Sequence, residues 1–185
     1  MNGIVEIIRN LLRDILSCRM DVMGMACQQR AKFEGWLKFE LAAALSQQDG
    51  FEQVKLEQGY PHGGRSDIGF LFHGEKWFVE MKTANTNWRA KGLENITRPV
   101  TRNIDGIVDD ILILKEKAPP AKGLAVICLF PIPVRIWKQE KAKIKYHLQR
   151  IELDGGLTPN TLGQNADFVE MTNQYGCCVF VIEIV

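Results

Sequence analysis

Between Arg65 and Lys82 the chain reads RSDIGFLFHGEKWFVEMK, two runs rich in strand formers separated by HGEK, and this pattern predicts a β-hairpin. With Gly74 and Glu75 as a two-residue loop, His73 lies opposite Lys76, Asp67 faces Lys82 and Gly69 faces Glu80. Side chains alternate between the faces of a strand and opposed residues share a face. Asp67, Glu80 and Lys82 therefore project from one side, with Leu71 and Phe78. Ile68, Phe70, Phe72, Trp77, Val79 and Met81 make the other side uniformly apolar. Two carboxylates brought together away from water repel, and a hard divalent cation held by Asp67 and Glu80 relieves the repulsion. Gly69, with no side chain, leaves room for the ion and its waters. Lys82 is then placed to hold an attacking water or to stabilise charge developing on a phosphate. The plainer reading has Asp67 ending a strand and Glu80 and Lys82 as a solvated pair. Leu71 and Phe78 on the same face weigh against it.

Asp67 followed across a hairpin by Glu80-Met81-Lys82, with GGRSD leading into it, resembles the PD-(D/E)XK nuclease superfamily, although Ser66 stands where a proline is common. The likeness covers roughly Gln28 to Phe130. It implies a restriction-endonuclease-like αβββαβ core, a central mixed sheet flanked by helices, and metal-dependent hydrolysis of phosphodiesters, in DNA foremost. It also implies Mg²⁺, with Mn²⁺ as a substitute, held by Glu34, Asp67, Glu80 and the backbone carbonyl of Met81, with Lys82 orienting the water. In that family a glutamate early in the preceding helix, with apolar residues three and seven places on, reaches the metal. Glu34 fits through Leu37 and Leu41, while the helical wheel alone does not separate it from Glu40. Two rivals are a nucleic-acid-binding or scaffold protein that keeps the fold without turnover, and a metal-dependent hydrolase of some other phosphoester, which would show a closed small pocket in place of an open basic cleft.

A chain of 185 residues with a net charge of +1 suits a single domain, and any contact with nucleic acid must rest on local patches. We divide it into a helix and linker (1–24), a catalytic core (25–131) and a C-terminal helix and hairpin (132–185). The five cysteines, including adjacent Cys177 and Cys178, follow neither a disulfide framework nor a zinc spacing. No run approaches the roughly 20 apolar residues of a membrane span. A cytoplasmic protein is the expectation.

Along the chain, Ile4, Ile7, Ile8, Leu11, Leu12 and Ile15 form a helical stripe that packs on its own domain or makes a homodimer. A second helix is expected from Met25 to Gln47 and a strand from Phe51 to Gly59, with Val54 and Leu56 on opposite faces. His62 and Arg65 flank the glycine-rich approach to Asp67, within reach of a phosphate. The polar stretch Thr83 to Arg102 carries Trp88, Arg89, Lys91, Arg98 and Arg102, suited to phosphates and to stacking on a base. Equally, Trp88 folds back on the core. Asn103 to Lys117 reads as a crossover helix with Asp109-Asp110 outward, and GLAVICLF (Gly123 to Phe130) as a central strand ended by Pro131 and Pro133. Trp137 to Arg150 reads as a lysine-rich helix, and DFVEM with CCVFVIEIV as a last hairpin.

Overall fold

A computed structural model describes residues 3–29, 31–86, 88, 100–139, 142–172 and 174–184, side chains at 100, 101, 139 and 142–144 excepted. The elements are α1 (Ile4–Cys18), α2 (Met20–Gln29), α3 (Glu34–Leu45), β1 (Phe51–Gly59), β2 (Arg65–Phe72), β3 (Glu75–Asn85) and α4 (Val100–Lys117). They continue with β4 (Lys122–Pro133), α5 (Val134–Gln139), α6 (Ala142–Asp154), α7 (Thr161–Gln164), β5 (Ala166–Glu170) and β6 (Tyr175–Ile184). The six strands form one mixed sheet in the order β1-β2-β3-β4-β6-β5, parallel only between β3 and β4. A parallel pair needs a crossover, and α4 supplies it.

Each sheet face carries its own core. One gathers Ile68, Phe70, Trp77, Val79 and Met81 with α1, α2 and α3, and the other gathers Phe78, Ala125 and Ile127 with α4 and α6. Strand β4 lies between them and is buried along nearly its whole length, which is why its sequence shows no alternation. Ile4, Ile8, Leu12 and Leu16 repeat every four residues and are buried on α1, which packs on β5 and β6. The stripe is spent inside the chain, so a homodimer would need another surface.

Several expected boundaries shift for local reasons. The helix predicted from Met25 to Gln47 is two helices. Phe33 leaves helical backbone (φ −116°, ψ 14°), and its buried ring packs 4.7 Å from that of Phe130. Strand β4 runs on through Pro131 to Pro133, because its pairing with β6 shifts between Leu129 and Ile132 and a bulge tolerates a residue without an N–H. Val54 and Leu56 share a face against the first core. Residues two apart on a strand point to the same side, and from Val54 onward β1 alternates half-buried and exposed positions. The lysine-rich helix is likewise two, α5 and α6, and two of its described cations are taken. Lys138 pairs with Glu170 and Arg150 with Asp105 and Asp154, leaving a solvated face.

Candidate functional site

The β2–β3 hairpin turns on His73 and Gly74, one residue earlier than expected, with φ of +49° and +82°. A tight turn whose two central residues both have positive φ matches the right-handed twist of the strands, and the pairing favours it. Ile68 lies opposite Val79, Gly69 opposite Phe78 and Phe72 opposite Glu75. The register therefore moves by two residues in each cross-strand pair. An even shift preserves the faces, so Asp67, Glu80 and Lys82 still share one, but their partners change. Continued by one pair, the ladder sets Asp67 opposite Glu80 instead of Lys82. Gly69 faces Phe78, and the space over it belongs to the Gln58 and Lys76 side chains and not to an ion.

Regular pairing of β2 with β3 stops at Ile68–Val79, while β3 stays paired with β4 as far as Asn85. Beyond that point β3 needs other acceptors for its amides, since an unpaired buried N–H is costly. Carboxylates provide them. Met81 N donates to Asp67 Oδ2 at 2.8 Å, and Thr83 N donates to Glu34 Oε2 at 2.9 Å. Glu34 thus reaches the hairpin from the first turn of α3, whereas Glu40 accepts the Trp36 indole N–H at 3.0 Å. The distinction the helical wheel left open is made by the splay of the two strands.

Three further side chains join the cluster. Lys38, one turn after Glu34 on α3, lies 3.2 Å from Asp67 Oδ1 and also bonds Glu57. Tyr60 donates its hydroxyl to Glu80 Oε1 at 2.6 Å. Asp110 lies inward, its Oδ2 3.0 Å from Lys82 Nζ, with side chains 17% and 24% exposed respectively. That ion pair is skewed, because Asp110 Oδ2 has no well-directed hydrogen bond. Of the adjacent pair Asp109-Asp110, only Asp109 is outward on α4. The helix buries Ile104, Ile107, Ile111 and Leu114 and leaves Leu112 exposed, so its inner face is rotated from the expected one and Asp110 turns toward the sheet. Lys82 passes beneath the helix at Gly106, one turn before Asp110, where an added Cβ would sit in ordinary contact 3.8 Å from Lys82 Cε.

The electrostatics follow from this crowding. Burial raises the Glu80 pKa from 4.5 to about 8; the Tyr60 hydrogen bond opposes that, and the Asp67 and Asp110 charges add to it. Asp110 is raised to about 6, first by burial and then, against the pull of Lys82, by Glu34 and Asp67. Burial works to lower the Lys82 ammonium, but Asp110, Glu34 and Asp67 outweigh it and its pKa ends raised. Four carboxylates (Glu34, Asp67, Glu80, Asp110) surround two ammoniums (Lys38, Lys82). The cluster is short of positive charge.

The residues Asp67, Glu80 and Lys82 are brought together, and Glu34 borders them through Thr83. Among the described residues, however, no three His, Cys, Asp or Glu side chains gather closely enough to hold a metal ion. Asp67 and Glu80 suit a hard cation by chemistry and adjacency, Glu80 feeling Asp67 both as a charge and as a hydrogen-bond partner. Arg65 and His62 are exposed beside the approach to Asp67, and Arg102 is exposed in the first turn of α4. Trp88 is half-buried and packs against the second core, so the folded-back alternative applies to it. Arg89, Lys91 and Arg98 lie outside the described residues. Sequence reasoning missed Tyr60 and Lys38. The i, i+4 spacing of Lys38 from Glu34 was the available signal for the latter.

No protein-family model matches the sequence, and no curated protein matches it. Fold and site together define a mixed α/β protein with an acid cluster at the splayed end of a buried hairpin. Among the described residues no helix is long and apolar enough to cross a membrane.

Proposed function

We propose that the chain is a metal-dependent phosphodiesterase acting on nucleic acid, DNA ahead of RNA, with a restriction-endonuclease-like core. The observation that carries the reading is the adjacency of Asp67 and Glu80 on one sheet face, close enough for the charge of one to raise the pKa of the other, beside the ammonium of Lys82 in a cluster with more carboxylates than cations. The run α3-β1-β2-β3-α4-β4 agrees with the order that the PD-(D/E)XK resemblance implies. Asp67 and Glu80 would hold Mg²⁺ or Mn²⁺, with Glu34 and the Met81 carbonyl completing the set. The ion, when bound, supplies charge on a phosphate oxygen and a water of lowered pKa.

The protein's own groups do the rest. Tyr60 fixes one oxygen of Glu80 and so orients the carboxylate beside Asp67. Lys82, kept charged by Asp110, faces the same space and can orient a water or balance charge growing on a phosphate. The exposed cations Arg65, two residues before Asp67, and Arg102, on the helix that carries Asp110, would meet the substrate backbone.

The test combines binding and turnover. Mn²⁺ or Mg²⁺ at about a hundred times its Kd should stabilise the fold by about 2.7 kcal/mol, and Asp67→Asn should abolish that gain. With labelled duplex and single strand, Lys82→Ala should lower the rate at saturating substrate and leave affinity nearly unchanged. Equal cleavage by Lys82→Ala would refute the mechanism.

One observation favours a non-catalytic binding or scaffold protein: Asp67 and Glu34 each already accept a β3 amide, and Lys38 bonds Asp67. Nucleic-acid binding without cleavage in either metal would establish that alternative.

A further inference from the structure

A cavity of about 530 Å³ opens toward the turn end of the hairpin, on the sheet face that carries the acids. Its size lies within the range of small-ligand sites. Tyr60, Pro61, Phe78, Pro120 and Ala121 give it apolar walls, and Lys76 enters from β3. Tyr60 belongs to both places. Its ring lies 4.8 Å from that of Phe78, and its hydroxyl bonds Glu80, so the cavity and the acid cluster stand on either side of one side chain.

Lys76 sets the direction. Its Nζ is 5.4 Å from the centre of the Phe78 ring and 3.5 Å from where a Cβ on Gly69 would lie. The ammonium therefore reaches along the sheet to the level of the Gly69–Phe78 pair. The next pair on that face is Asp67–Glu80, two residues on and about 6.6 Å away at strand spacing. Lys122 at the rim is neutralised by Glu75 at 2.7 Å, but among the described residues no carboxylate pairs with Lys76. Burial lowers its pKa, and the like charge of Lys55 lowers it further. A partly desolvated cation held without a counterion over an apolar floor calls for an anion with a flat apolar body.

We propose that this cavity binds the nucleotide next to the phosphodiester facing Asp67 and Glu80, its base on the apolar walls and its phosphate on Lys76. The assignment of the ligand rests on the phosphodiesterase reading. The pocket itself is tested without turnover, by equilibrium binding of labelled single strands to the full chain in EDTA. Removing one phosphate contact with Lys76→Ala should weaken binding and make the slope of log affinity against log salt shallower by about 0.7. An abasic site moved along the strand should weaken binding at one position by about fivefold or more, the lower end of base stacking. Ala121→Phe, which fills the cavity from its half-buried rim, should erase that position dependence. Melting temperatures check that each variant folds, and if Ala121→Phe does not, Lys76→Ala and the abasic scan still decide.

A flat scan, with Lys76→Ala binding like the parent, overturns the pocket even if the parent cuts with magnesium. The full pattern in a protein that never cuts supports the pocket and overturns the phosphodiesterase. No binding at all in EDTA overturns the pocket, and cleavage by the parent with magnesium or manganese then decides the phosphodiesterase separately.

Discussion

Replacing Glu80 by Gln isolates the charge deficit at the site. The Glu80 carboxyl has its pKa raised from 4.5 to about 8 by burial and by Asp67 and Asp110, so between those pH values the folded protein binds a proton that the unfolded chain has lost. Stability then falls as pH rises through this window, since the unfolded state binds fewer protons. Each pH unit is worth about 1.4 kcal/mol, so the parent should lose about 5 kcal/mol from pH 4.5 to 8 through this group. For a chain of this length that is about 10–20 °C in melting temperature. Glu80→Gln keeps an oxygen to accept the Tyr60 hydroxyl and cannot ionise. The variant should match the parent within about 1 kcal/mol at pH 5, one neutral hydrogen bond standing for another, and exceed it by several kcal/mol at pH 8.5. Thermal or urea unfolding in EDTA measures both curves. Parallel curves, or a parent whose stability is flat over this range, would refute the electrostatic account.

Two other perturbations probe the scaffold of the site. Asp110→Asn removes a carboxylate whose pKa burial raises from 3.8 to about 6, so between those pH values the parent should lose about 3 kcal/mol in urea unfolding as pH rises and the variant should not. His73→Asn places a residue tolerant of positive φ before Gly74, and should raise stability by about 0.5 kcal/mol in the same assay.

Much of the organisation follows from the order of residue types along the chain. The alternation in Ile68–Phe72 and Trp77–Met81 specifies a hairpin with one apolar face. Because any even change of register keeps the faces, Asp67, Glu80 and Lys82 share a side whichever of the two turns forms. The unbroken apolar run at Gly123–Phe130 marks a strand covered on both faces, and the apolar stripe Ile4, Ile7, Ile8, Leu11, Leu12 and Ile15 marks an amphipathic helix without saying what it packs on.

Tertiary structure decided the rest. The choice of His73-Gly74 as the turn sets Asp67 opposite Glu80, a matter of strand twist that composition does not encode. Glu34 was separated from Glu40 by the splay of β2 from β3, which leaves the amides of Met81 and Thr83 to be met by carboxylates. Asp110 looked outward as one of an adjacent pair, and it turns inward because α4 rotates to bury Ile107, Ile111 and Leu114 against the sheet. Tyr60 and Lys38 reach the acids from elements 20 and 29 residues away from Glu80 and Asp67, and only the packed sheet brings such distant groups to one place.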